Sequence, residues 1–277
     1  MELDTGTNQS IPLPEFPQRY ASGSSTRGGV DFRRFGVVEE DLRVDFASIN
    51  RAALATRLLD ICTVDRDRVL PENFFCELSV GTRIECLLVL ALGGAGDTLR
   101  FPFKCSGCGE DLELELTLAE IAAFQNEADQ VELVSVDLSG RRLEFHKLSG
   151  RDQESIGKAV FNDEFEAASE IIGRLAVDAV AVERLAARDI EVIEAAMEEA
   201  DPLVNFNCRI DCGECGQSND HEIDLFETAL DILRRAQLRL VLSVHRIASK
   251  YHWSEQEIFA VPEWRRQQYL KLIGAKS

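Results

Sequence analysis

Two short cysteine knuckles hold the residue types best suited to chemistry in this chain. The first reads Phe103-Lys104-Cys105-Ser106-Gly107-Cys108-Gly109-Glu110, and the second Asp211-Cys212-Gly213-Glu214-Cys215-Gly216-Gln217. Each is Cys-x-x-Cys-Gly, the spacing at which two thiolates hold one side of a tetrahedral metal. Together Cys105, Cys108, Cys212 and Cys215 offer the donor set of a closed structural site for one zinc per chain. Such a site binds and folds but leaves no position for a substrate, so the pattern points to scaffolding, recognition or assembly. Two competing readings are a redox pair and a knuckle that has lost its metal. A thioredoxin-type pair sits at a helix N-terminus, which depresses the thiol pKa. Here each pair lies between strand patterns and is followed by a glycine, which reaches the positive φ that a knuckle turn needs.

The elements that must position the cysteines can be read from periodicity. Leu99, Phe101 and Phe103 alternate toward the first knuckle, and Leu112, Leu114 and Leu116 alternate away from it, with Glu113 and Glu115 between. Period two on both sides of a turn is a β-hairpin with the cysteines at its tip. A helix is expected from about Leu118. Phe206 and Ile210 lead into the second knuckle, Ile223 and Leu225 lead out, and a helix follows near Phe226. Strand, knuckle, strand, helix therefore occurs twice, an internal pseudo-repeat whose two hairpins facing one metal make a zinc ribbon.

Around this repeat the chain divides into four stretches: a flexible arm over 1–45, helices and the first knuckle over 46–130, an insertion over 131–203, and the second knuckle with a helical module over 204–277. The arm is expected from Gly-Ser-Ser-Thr-Arg-Gly-Gly at 23–29 and the weak apolar periodicity around it. Leu54, Leu58, Leu59 and Cys62 predict a helix from Asn50, and the apolar run Arg83–Leu92 predicts a central helix ended by Gly93-Gly94. In the insertion, Val131–Val136 and Leu143–His146 predict a hairpin turning at Ser139-Gly140, followed by helix from Asp152 to Ala200. The metal would clamp the root of this insertion to the C-terminal helices. There, Phe226, Leu230, Leu233, Leu240, Val241, Val244 and Ile247 predict one long helix with an inward stripe. Ser254 with Glu257 predicts a capping box, and Pro262 a further helix with Trp264, Tyr269, Leu270 and Ile273 inward. The fold class expected is α+β.

Composition narrows the function. The chain has 277 residues, with 30 Lys+Arg against 49 Asp+Glu for a net charge of −19. That charge repels phosphate backbones and anionic membranes, which disfavours nucleic-acid binding. The doublets Arg141-Arg142, Arg234-Arg235 and Arg265-Arg266 are the most prominent basic features. No apolar run reaches the ~20 residues that span a bilayer. The N-terminus lacks a secretory pattern, so the expected compartment is the reducing cytoplasm, where eight cysteines are thiols or metal ligands. Cys62, Cys76, Cys86 and Cys208 stand singly among apolar residues and read as small hydrophobes. Cys208 lies close enough to Cys212 to substitute as a ligand. His146, His221, His245 and His252 show no ligand spacing; His221 reads either as a support for the second knuckle or as a surface residue. No nucleophile elbow, phosphate loop or His-Glu-x-x-His run is present, and Gly93-Gly94-Ala95-Gly96 follows a helix and precedes a strand, the wrong order for a dinucleotide loop. No catalytic residue and no small-molecule substrate is nominated.

The run Val244-His-Arg-Ile-Ala-Ser-Lys-Tyr-His-Trp-Ser-Glu-Gln-Glu-Ile258, followed by Pro262-Glu-Trp-Arg-Arg-Gln-Gln-Tyr-Leu-Lys-Leu-Ile273, resembles the C-terminus of baseplate-associated proteins of contractile phage tails and related injection systems. It is similar to that of the T-even-phage-type baseplate hub assembly chaperones. The order of knuckle, inserted region, second knuckle, long helix and Trp-Ser-Glu helix is also similar, as is Leu148-Ser-Gly-Arg-Asp-Gln153 leading into the helical insertion. The resemblance covers about residues 50–277. It implies a cytoplasmic, non-enzymatic assembly chaperone or adaptor whose partners are baseplate or hub and spike proteins. The alternatives are a minor structural baseplate component and a zinc-ribbon nucleic-acid-binding regulator.

Overall fold

The helices begin where the sequence supplies caps. In the computed structural model, which describes residues 10–14, 16, 30–65, 70–93, 97–138, 140–182 and 185–274, Asn50 accepts the Ala53 amide and opens helix α1, Arg51–Cys62. Short helix α2 spans Phe74–Glu77. Ser79 accepts the Thr82 amide and opens α3, Val80–Leu92, which ends on Gly93 at φ 88°. An N-cap of this type contributes about 1 kcal/mol, and the left-handed Gly93 closes the helix as the glycine pair predicts.

The first knuckle hairpin pairs β4, Thr98–Lys104, with β5, Asp111–Thr117, setting Leu99 opposite Leu116, Phe101 opposite Leu114 and Phe103 opposite Leu112. Thr117 and Glu120 form a capping box that starts α4, Leu118–Ala128. The insertion contains the hairpin of β6, Leu133–Leu138, and β7, Arg141–His146. Its helices are α5, Gly150–Ile156, α6, Glu164–Leu175, and α7, Ala187–Ala200. The second hairpin pairs β8, Phe206–Asp211, with β9, Ser218–Ile223. It leads into α8, Leu225–Tyr251, then α9, Glu255–Ala260, and α10, Glu263–Gly274. The architecture is α+β, with the paired hairpins, the inserted region and the C-terminal helices in the order expected.

Three apolar clusters hold these elements. The main one joins α1, α3, α4 and the first half of α8 through Leu58, Leu59, Leu87, Leu88, Ile121 and Leu230. The insertion has its own, built on Val134, Phe145, Ile172 and Ile193. Leu240, Val244 and Ile247 form a third with Ile258. Among the described residues no helix is long and apolar enough to cross a membrane.

Part of the expected arm is ordered. Strands β1, Ile11–Pro12, and β2, Val30–Phe32, join β3, Thr63–Asp65, in a small antiparallel sheet. Phe32 and Phe35 are buried. Asp41, fully buried, accepts the amides of Gly36, Val37 and Val38 and the Arg33 guanidinium. These strands are too short for periodicity to reveal, and β2 sits between β1 and a segment that follows α1. The Gly-Ser stretch at 23–29 lies outside the described residues, as do Gly94–Gly96 and Ser139.

Two further expectations change. Val241 and Trp264 point outward, 45% and 54% exposed. The returning helices α9 and α10 cover only the side of α8 that carries Leu240, Val244 and Ile247. The buried residue of α10 is Arg266, whose guanidinium donates to Val37 O at 2.6 Å and lies 4.9 Å from the Phe259 ring centroid. The doublet Arg265-Arg266 is thus no basic patch.

The insertion is moored by polar contacts to the start of α3. Val80 N donates to Leu148 O at 2.9 Å and Gly150 N to Leu78 O at 3.1 Å. At the other root, Asp201 accepts Gly81 N at 3.1 Å. Buried Arg83 ties in the neighbouring helices, donating to Ala52 O (2.7 Å), Thr56 Oγ1 (2.8 Å) and Gln153 Oε1 (3.3 Å). The root of the insertion therefore hangs on α3 rather than on the metal site.

Close approach demands glycine at two of these positions. A Cβ on Gly150 would stand 1.9 Å from Arg83 Nη1, and one on Gly81 would stand 1.9 Å from Asp201 Oδ1. Gly150→Ala is expected to cost at least about 1–3 kcal/mol, the usual penalty of overpacking, measured by urea denaturation; unchanged stability would contradict this packing. Buried Glu85 gives a second prediction. Burial, and then neighbouring Asp129, push its pKa up to about 8. The native state therefore keeps a proton that the unfolded chain releases near its ordinary value of 4.5. The sign follows: this group lowers stability as pH rises from about 4.5 to about 8. Glu85→Gln should flatten that part of the stability–pH curve, and an unchanged slope would count against it.

Candidate metal centre

The two knuckles are built alike. In the first, Cys105 N donates to Glu110 O at 2.8 Å and Gly109 N to Cys105 O at 2.9 Å; in the second, Cys212 N donates to Gln217 O at 2.9 Å and Gly216 N to Cys212 O at 2.8 Å. Gly109 and Gly216 hold φ of 77° and 73°, which only glycine adopts without strain. Each knuckle closes beyond the last pair of its ladder, Lys104 with Asp111 and Asp211 with Ser218.

The hairpins bring the four sulfurs together. Cys105 Sγ lies 3.6 Å from Cys215 Sγ, and Cys108 Sγ lies 3.6 Å from Cys212 Sγ. All four sulfurs fall within 4.8 Å of one another. A tetrahedron with Zn–S bonds of about 2.3 Å has S···S edges of about 3.8 Å, so the spacing fits a tetrahedral ion. A disulfide, at about 2.05 Å, is much shorter, and all eight cysteines are free. Soft thiolates in this geometry suit zinc. Cys105 and Cys212 face inward while Cys108 and Cys215 are exposed, which gives an ion an entry side.

Protonation shows why the cluster calls for a cation. The Cys108 backbone amide, followed by the Gly107 amide, donates to Cys105 and holds its pKa down to about 6. Cys108 receives the Glu110 amide, which lowers its pKa, but the sulfurs of Cys215 and Cys212 outweigh this and push it up to about 12. One thiolate is favoured, and Cys108 and Cys215 then resist ionisation. A divalent ion bound to all four sulfurs would ease that conflict by attracting each thiolate, halving their summed charge.

Asn219, only 4% exposed, joins the two halves. Its Oδ1 accepts Ser106 N at 2.8 Å and Ser106 Oγ at 2.9 Å, across from the other hairpin. Its Nδ2 donates to Gln217 O at 2.9 Å and approaches Cys105 Sγ at 3.7 Å. This amide both orients a sulfur and locks one knuckle to the other, the role that outer hydrogen bonds play around metal ligands. No spacing rule singles it out in the sequence.

The remaining cysteines and histidines stand apart from the four sulfurs. Cys208 sits on β8 opposite His221 and packs on the main apolar cluster. It lies outside the cluster of four sulfurs and is no substitute ligand; burial, and then Asp220, raise its thiol pKa. His221 stacks on Phe103 with ring centroids 3.9 Å apart; it is a packing bridge between the hairpins, neither a support for a sulfur nor a free surface residue. Cys62 and Cys86 are fully buried, and burial pushes Cys62 up to about 12, as inert core thiols. Cys76 packs beside Thr56 and Glu154. His252 ends α8 in the left-handed region, and the structure does not gather it with His146 or His245.

No protein-family profile, curated protein or solved structure matches this chain.

Cys105→Ser and Cys212→Ser should each abolish stoichiometric metal and loosen the contact between the hairpins, measured by metal analysis and near-UV circular dichroism. Metal retained at wild-type level in either variant would contradict the four-sulfur site. Asn219→Ala should keep the metal but cost about 1–3 kcal/mol through the unpaired Ser106 groups. Acidification should release the ion, because protons compete for the thiolates.

Proposed function

We propose that the protein is a non-enzymatic assembly chaperone or adaptor for the baseplate hub of a contractile phage tail or contractile injection system. It acts in the cytoplasm, and one structural zinc per chain holds its hairpins in register. The observation that carries this reading is the C-terminal motif. The residues that resemble the baseplate-associated proteins, Val244–Ile258 and Pro262–Ile273, fold as one module. Tyr251, Trp253 and Tyr269 meet with ring centroids 5.3 Å apart, and Ile258 is fully buried between the helices. Ser254 and Glu257 form the capping box that the motif encodes.

Two physical features support the same reading. A site saturated by four protein sulfurs leaves no coordination position for a substrate, which fits a role in holding shape. The same module leaves Trp264 and Leu272 exposed, 54% and 58%. Baseplate, hub and spike proteins are the partners proposed for such a surface.

Deletion of the gene is expected to leave sheath and tube proteins synthesised but few or no complete particles, counted by electron microscopy. Normal particle numbers would contradict the proposal. Mass spectrometry of purified particles should then find the protein absent or substoichiometric; stoichiometric presence would instead make it a structural baseplate component.

A further inference from the structure

The second half of α8 runs against the character of the chain. Between Ile232 and Tyr251 it carries Arg234, Arg235, Arg239, Arg246 and Lys250 and no carboxylate, in a protein of net charge −19. Its inner positions Leu240, Val244 and Ile247 are used by the cluster shared with α9. On its outer side Leu238, Val241 and Leu242 remain 57%, 45% and 47% exposed. At about 100° per residue, Leu238 and Leu242 form a ridge, with Arg235, Arg239 and Arg246 along one edge and Arg234 and His245 along the other. Arg234 is engaged by Asp231 at 2.8 Å. Arg235, Arg239, Arg246 and Lys250 have no carboxylate partner among the described residues. Arg239 and Arg246 of this edge also line a cleft of ≈ 520 Å³ beside α10, together with Arg34 and with Glu263, which lies 3.8 Å from Arg34.

We propose that this face docks an acidic amphipathic helix of a partner protein, its apolar side chains on the Leu238–Leu242 ridge and its carboxylates against Arg235, Arg239 and Arg246. Charge complementarity selects an acidic occupant, and an aliphatic ridge at helical spacing selects one with apolar residues at i, i+3, i+4 and i+7. A phosphate backbone would leave the ridge wet and would meet the repulsion of the whole molecule. A second copy docked symmetrically would set the two arginine rows against each other. The inference deepens the assembly-factor reading by giving the partner's docking segment its chemistry.

The test uses the full chain and a fluorescent synthetic helix with Leu at i, i+3, i+4 and i+7 and Glu elsewhere. The controls are a scrambled peptide of the same composition and a single-stranded oligonucleotide. Anisotropy should show salt-sensitive binding, at least about tenfold tighter than to the scrambled peptide. Arg239→Glu/Arg246→Glu and Leu238→Ser/Leu242→Ser should each weaken it about tenfold or more with circular dichroism and metal content unchanged, while Arg239→Lys/Arg246→Lys retains most of it. No binding, equal binding of the scrambled peptide, preference for the oligonucleotide, or self-association through this face would each overturn the proposal. The assay contains no particle, so the two readings fail separately. Peptide binding together with normal particles after gene deletion would overturn only the baseplate role. Lost particles without peptide binding would overturn only the docking face.

Discussion

Four sulfurs within 4.8 Å of one another are the constraint on which the hairpin pair depends. Left to themselves, two of these thiols are driven apart: Cys105 is drawn down to about 6 and Cys108 is driven up to about 12. A divalent cation held by the four sulfurs would convert that conflict into attraction, and its binding energy would become folding energy. The backbone prepares for it twice over, with the same turn, the same amide-to-carbonyl bonds and the same left-handed glycine in each knuckle. Asn219 then fixes the relative placement of the halves, and the stack of Phe103 on His221, two residues further along β9, adds to it.

Beyond the sulfurs, each hairpin feeds directly into a helix. β5 continues into α4, and β9 passes into α8 with Asp224 as the cap, accepting the Glu227 amide at 2.8 Å. The orientation of the clamp is thereby transmitted to the main core, where Ile121 of α4 and Leu230 of α8 are buried in one cluster. The insertion is held by different means. Its roots are pinned on α3 by Leu148, Gly150 and Asp201, around a buried guanidinium and two glycines without room for a side chain. The molecule is thus braced at two places, one at the four-sulfur cluster, the other by a polar knot.

Local signals were legible and non-local polar ones were not. Alternation at Leu99, Phe101 and Phe103 revealed β4, and the cap at Ser254 with Glu257 revealed α9, because both depend on neighbours in sequence. The four cysteines were legible as a set because metal ligation imposes a short, recognisable spacing. Asn219, Asp201 and Arg83 were not, because each acts on partners far away in the chain and no local pattern records the pairing. The strand at Val30–Phe32 was hidden for the same reason, since its partners lie at Ile11–Pro12 and Thr63–Asp65. Val241 and Trp264 read as inward because hydrophobicity alone does not tell which side of a helix its neighbours will cover.

The most direct test of this account is hydrogen exchange on the full chain before and after removal of its metal by a chelator. The purified protein should carry about one zinc per chain, and stripping it should release protection in β4, β5, β8 and β9 while the insertion's hairpin, β6 with β7, keeps its own. A protein that holds no metal as purified, or whose knuckle strands stay equally protected without it, would contradict the central claim.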